Sequence, residues 1–213
     1  MNNLRNKLKL CLITNQANQN IHKYIEIIKE AVRGGVTMVQ LRDKSRNIDQ
    51  IRDIALELKR ILDPLKIPLI INDYVELAKS IDADGVHIGQ SDMKIESARN
   101  LLGSDKIIGV SIEDLADLYF INKLNGNYYV AASAVFQSNT KLNCKKIWEL
   151  DGLKQLVEHS AHPVVAIGNI NQNNIKDVIQ NGAAGVAVIS AVHSCSPFKA
   201  AQDLFKLMEI KYD

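Results

Sequence analysis

Short apolar, β-branched runs recur along the chain at residues 8–14, 36–42, 68–72, 85–89, 106–111, 128–132, 163–168 and 185–190. Stretches with apolar residues at helical spacing separate them. After the first run, Ile21, Tyr24, Ile25 and Ile28 mark one face of a helix, and Gly34-Gly35 supply its stop. After the second, Ile51, Ile54, Ala55, Leu58, Ile61 and Leu62 repeat the pattern up to Pro64. Further helices are predicted over 74–80, 95–102, 112–124, 147–159, 172–181 and 197–210. Eight strands alternating with about eight helices, without a linker or a break in composition, predict a parallel sheet with crossover helices. Such a chain forms either an open doubly wound sheet or a closed barrel. The count of eight favours closure, and so do polar residues after almost every strand instead of at one crevice. A dinucleotide-binding sheet would want G-x-G-x-x-G after the first strand, where Thr14-Asn15-Gln16-Ala17 stands. The expected fold is α/β, a single (β/α)8 TIM barrel, with residues 1–213 as one domain.

Composition narrows the partners. The chain is 46% apolar and 23% charged, enough for one well-buried core. A net charge of +2, with no arginine-rich tail, gives no electrostatic case for nucleic acid. Cys11, Cys144 and Cys195 are far apart and form no C-x-x-C pair, which argues against a disulfide framework or a zinc site and fits a reducing, cytoplasmic setting. No apolar segment approaches a membrane span, and the run 10–13 is too short for a signal peptide. Small-molecule substrates are the expected partners, with homo-oligomerisation left open.

In a parallel barrel the chemistry sits on the loops that follow the strands. Alternation puts Met38, Gln40 and Arg42 on one face of the second strand and Val39 and Leu41 on the other, so Gln40 and Arg42 point into the mouth. A guanidinium there needs an anion, because an unpaired buried charge costs several kcal/mol. Either a substrate supplies it, or Arg42 pairs internally with Asp73 or Asp92. The third strand ends in Asn72-Asp73 and the fourth leads to Asp92. Neighbouring strands lie roughly 5 Å apart, so the two carboxylates can converge. Without a nearby Cys or a paired His they suit a hard cation, most simply Mg2+, with waters and a substrate phosphate completing its shell. The bland alternative makes each acid a helix cap or a solvated loop residue. His87 should point inward as a hydrogen-bonded, site-shaping group. Gly168-Asn169 and Ser190, after the last two strands, suit a phosphate nest, since Gly and Asn tolerate positive φ; the alternative is that Gly168 serves only a tight turn before a helix capped by Asn171 or Asn173. The loop after the sixth strand is either a solvated loop or, in the barrel mouth, one that offers Ser138, Thr140 and Lys141 to a second anion.

At this point the residues cease to be generic. Gln40-Leu41-Arg42-Asp43-Lys44, Ile71-Asn72-Asp73, Gly85 to Asp92, Gly109-Val110-Ser111 and Gly185 to Ser190, in this order and spacing, closely resemble the thiamine phosphate synthase family over residues 8–207. The resemblance implies a (β/α)8 enzyme that joins a hydroxymethylpyrimidine diphosphate to a thiazole phosphate, releasing pyrophosphate. It implies that Gln40, Leu41, Arg42, Asp43, Lys44, Asn72, Ser111 and Lys141 hold the pyrimidine diphosphate, with Arg42, Lys44 and Lys141 as the catalytic cations. Asp73 and Asp92 would bind Mg2+. Ser138, Asn139, Thr140, Asn169, Ile189 and Ser190 would receive the thiazole phosphate. The chain departs from the family pattern where Ala131, Ser133, Ala134, Gln137 and Ser138 replace a Gly- and Pro-containing segment, and where Gly168-Asn169 replaces a Gly pair. Two rivals remain: a thiazole tautomerase of the same fold, and a non-catalytic binder of thiamine phosphates. The two retained acids argue against the first, as does the lack of a histidine just after Ser111.

Overall fold

The computed structural model describes residues 2–14, 20–137, 146–193 and 196–209. Its strands are β1 (Leu10–Ile13), β2 (Met38–Arg42), β3 (Leu69–Asn72), β4 (Gly85–Ile88), β5 (Ile107–Ile112), β6 (Tyr128–Ser133), β7 (Val164–Ile167) and β8 (Gly185–Val188). Its helices are α1 (Asn2–Leu8), α2 (Ile21–Arg33), α3 (Ile48–Leu62), α4 (Val75–Ser80), α5 (Ile95–Leu102), α6 (Leu115–Ile121), α7 (Glu149–His159), α8 (Ile175–Gln180) and α9 (Pro197–Glu209). Every strand runs parallel to its sequence neighbours, and β8 returns to β1 through Leu10↔Val186 and Leu12↔Val188. The sheet is therefore a closed (β/α)8 barrel, as the alternation predicted.

Strand alternation divides the core into two shells. Side chains facing outward, Leu12, Val39, Leu41, Ile71, Val86 and Val130 among them, pack under the helices. Those facing inward, including Cys11, Ile13, Met38, Ile70, Tyr129 and Val165, fill the barrel itself. The helices begin and end where backbone chemistry dictates. Asn20 accepts the His22 N–H at 2.8 Å at the start of α2. Asn47 and Gln50 exchange bonds as a capping box, which starts α3 three residues before its apolar pattern. At the end of α2, Gly35 sits at φ +115 against Phe205, and any side chain at Gly34 would strike the Phe198 carbonyl. These glycines let α9 close onto α2.

Several element boundaries differ from expectation, in two regions for reasons visible in the structure. The predicted helix over 112–124 starts later and stops earlier, because Ile112 still belongs to β5 and Asp114 and Asp117 form their own capping box. At the N-terminus, residues up to Leu8 form α1 instead of opening the first strand. Leu8 and Leu4, one helical turn apart, lie against the inner cluster, so α1 plugs the barrel floor.

Candidate active site

At the mouth formed by the C-terminal strand ends lies a cavity of about 530 Å3, whose wall includes Gln40, Arg42, Lys44, Asn72, Asp73, His87, Asp92, Ser111, Glu113, Ser133 and Ile189. A somewhat larger hollow, about 610 Å3, opens at the opposite end among Asn3, Lys7, Lys66 and Asp84. Size alone would favour that one. Convergence of a guanidinium, an ammonium and two carboxylates from three strand ends favours the mouth.

Each mouth residue is placed by its strand. Arg42 ends β2, and its backbone is tied to β1: its N–H donates to Thr14 Oγ1 at 3.0 Å and its carbonyl accepts from the same hydroxyl at 3.3 Å. Among the described residues Arg42 has no ion pair, so the internal pairing open to it with Asp73 or Asp92 is absent. Lys44 takes that role instead, its ammonium bonding Asp73 Oδ2. Lys44 is roughly half exposed, at 46%. An ion pair so open to water is worth at most about 1 kcal/mol, and a stronger anion can displace it. Asp92 accepts the Gly89 N–H on Oδ2 at 2.6 Å, closing the turn after β4. Neither acid caps a helix: the caps of α4 and α5 are Tyr74 and Lys94, without side-chain bonds. Oδ1 of both carboxylates is without a hydrogen-bond partner among the described residues.

This donor set can be tested against a metal. Among the described residues no cluster of three or more His, Cys, Asp or Glu could enclose an ion. Two carboxylates on one cavity wall, with no sulfur or imidazole ligand, fit a hard divalent ion that takes its remaining ligands from water and substrate. They do not fit zinc.

Deeper in the mouth, polar side chains link strand to strand. Asn72 Nδ2 donates to Gln40 Oε1 at 2.9 Å, and Gln40 Nε2 to the Tyr129 hydroxyl at 3.4 Å. His87 Nδ1 meets that hydroxyl at 3.0 Å, and its Nε2 meets Ser111 Oγ at 3.0 Å. His87 thus points inward, as its strand position predicted. Tyr129 carries no sequence signal beyond alternation on β6. Burial drives its phenol well above the usual tyrosine range, which keeps it a neutral hydroxyl. Burial also pushes the Cys11 thiol up to about 12, which rules it out as a thiolate nucleophile.

Other expected residues lie elsewhere. Leu41 is buried in the outer shell. Asp43, also buried, turns away from the cavity and accepts bonds from Ser45 N–H and Oγ, both at 2.8 Å, and from Arg46 N–H and Nη1. Its burial raises the carboxyl pKa, but these bonds outweigh that and hold it below the usual aspartate value. Asn169 and Ser190 are exposed and are not part of the cavity wall. Gly168 and Asn169 do adopt positive φ, +109 and +49. A side chain at Gly168 would lie 2.5 Å from Ala134 Cβ. Ser138, Asn139, Thr140 and Lys141 fall outside the described residues.

The sequence profile described as thiamine monophosphate synthase matches residues 10–192. The chain belongs to that family. A thiamine-phosphate synthase of Vibrio parahaemolyticus is 42% identical over 205 residues, covering 96% of this chain and 100% of the relative. One from Chlamydia abortus is 43% identical over 189 residues, 89% of each chain. Among solved structures, a thiamine phosphate pyrophosphorylase from Pyrococcus furiosus superposes with a TM-score of 0.86 at 35% identity, covering 97% of this chain and 98% of that one. The family resemblance seen in the strand-end motifs thus extends over nearly the whole chain. None of the described helices in this family member is long and apolar enough to cross a membrane.

Proposed function

We infer that this chain is a thiamine-phosphate synthase, a transferase that joins a hydroxymethylpyrimidine diphosphate to a thiazole phosphate to give thiamine monophosphate and pyrophosphate. The observation that carries the reading is the meeting of Arg42, Lys44, Asp73 and Asp92 on one cavity wall in a member of this family. In the reaction the bond from the pyrimidine methylene carbon to the diphosphate oxygen breaks, and a bond from the thiazole nitrogen to that carbon forms. Negative charge grows on the departing pyrophosphate. Arg42 faces it without an internal partner among the described residues, and Lys44 exchanges its weak pair with Asp73 for the diphosphate. Release of Lys44 leaves Asp73 and Asp92 to hold a divalent ion. Mg2+ bound there would supply Lewis-acid compensation of the leaving group. The aminopyrimidine ring stabilises the positive carbon left behind, so no protein nucleophile is needed.

The test is pyrophosphate release from the two substrates, with Mg2+ and with chelator. Release that requires metal and both substrates, with thiamine monophosphate as product, is the expected result. Binding of the thiazole phosphate with no turnover would point instead to the tautomerase or the non-catalytic binder.

A further inference from the structure

Five strands contribute to one hydrogen-bonded row above the apolar floor: Asn72 on β3, Gln40 on β2, Tyr129 on β6, His87 on β4 and Ser111 on β5. The row exists because Gly109 has no side chain. A Cβ there would overlap the Tyr129 ring and hydroxyl and come within 2.5 Å of His87 Nδ1. Tyr129, His87 and Ser111 are all buried, so every hydrogen in the row must find an acceptor.

A phenol has one hydrogen, and a neutral imidazole has one donor and one acceptor nitrogen. Once one end of the row is fixed, every member is therefore fixed. With Asn72 donating to Gln40, and Gln40 to Tyr129, the phenol gives its hydrogen to His87 Nδ1. His87 then carries its proton on Nε2 and donates to Ser111 Oγ. The Ser111 hydroxyl hydrogen is not consumed within the row. The reverse order would use that hydrogen on His87 and leave Ser111 an acceptor only. Electrostatics selects between them. Arg42 pairs with Asn72 in register, and Lys44 lies two residues on. The forward order leaves the Asn72 carboxamide oxygen, not its NH2, for the Arg42 guanidinium on the neighbouring strand, whereas the Lys44 ammonium is already held by Asp73.

We propose that His87 and Tyr129 are positioning residues that lock Ser111 as a hydrogen-bond donor into the mouth, so that its hydroxyl hydrogen is held ready for an acceptor atom of the substrate. Ser111 is also held through its carbonyl, which accepts from Gln90 Nε2 at 2.7 Å. The identity of the substrate rests on the synthase reading above. The direction of the row does not.

Two measurements test this. The first is 15N NMR of the wild-type imidazoles, with His87 assigned by a His87→Gln variant. The Nε2–H tautomer, with Nδ1 unprotonated, is expected at neutral pH. An Nδ1–H tautomer or an imidazolium overturns the proposal, and this arm needs neither turnover nor a folded variant beyond the assignment. The second is a double-mutant cycle on kcat/KM for the pyrimidine diphosphate. Tyr129→Phe and Ser111→Ala should each lower it roughly five- to ten-fold, the worth of one hydrogen bond, and the double variant should lose no more than Ser111→Ala alone. Losses that multiply would assign Tyr129 to packing only. Wild-type protein that releases no pyrophosphate sinks the synthase reading, while the NMR arm still decides the row.

Discussion

Asp43 follows β2 directly and Asp92 lies four residues beyond β4, so both sit on loops of the same barrel face. Their carboxylates do different work. Asp43 folds its own loop through Ser45 and Arg46. Because its folded pKa is lowered, its extra stability is complete above the unfolded value of about 3.9 and is lost as pH falls through the folded one. Asp43→Asn should therefore cost about 1–3 kcal/mol at neutral pH. In urea titrations the gap to wild type should stay level from about pH 5 to 8 and narrow below about pH 4. A gap unchanged down to about pH 3 would mean that the charge is irrelevant. Asp92, by contrast, keeps one oxygen for the cavity and spends the other on Gly89. Asp92→Ala should cut turnover on the order of 100-fold. Losing one turn hydrogen bond of about 1 kcal/mol should lower Tm by only about 2–4 °C. Loss of folding in step with activity would instead give the carboxylate a structural role. Strand-end charge made Arg42, Lys44, Asp73 and Asp92 legible in the sequence, since an ionised group in a barrel mouth demands a partner. Tyr129 was not legible: an aromatic in an apolar run reads as core, and its partner His87 is 42 residues away.

Among the elements, the strands were legible because a parallel barrel buries both faces and leaves near-continuous apolar runs. The long amphipathic helices α2 and α3 were legible too, although the start of α3 lay in Asn47 and Gln50 and not in its apolar pattern. Helix α1 was not. Seven residues give barely two turns, and five of them (two Asn, then Arg, Asn and Lys) are polar, so no periodicity emerges. Its value is tertiary: Leu8 is fully buried in the inner cluster. Leu8→Ala should destabilise the protein by about 2–5 kcal/mol in urea unfolding, with kcat and KM unchanged where the variant is folded. A shift in KM for either substrate would show that floor and mouth are coupled.

At the scale of the whole molecule, closure of eight parallel strands brings every C-terminal end to one face, so residues from positions 13 to 189 meet in one cavity. The barrel interior grades from Leu8, Met38, Ile107 and Val165 at the floor to Gln40, His87, Ser111 and Ser133 at the mouth. Folding draws on the first layer and recognition on the second. Lineages can therefore revise what such a barrel binds by substituting the upper layer and its loops, while the lower layer keeps the chain foldable throughout the change.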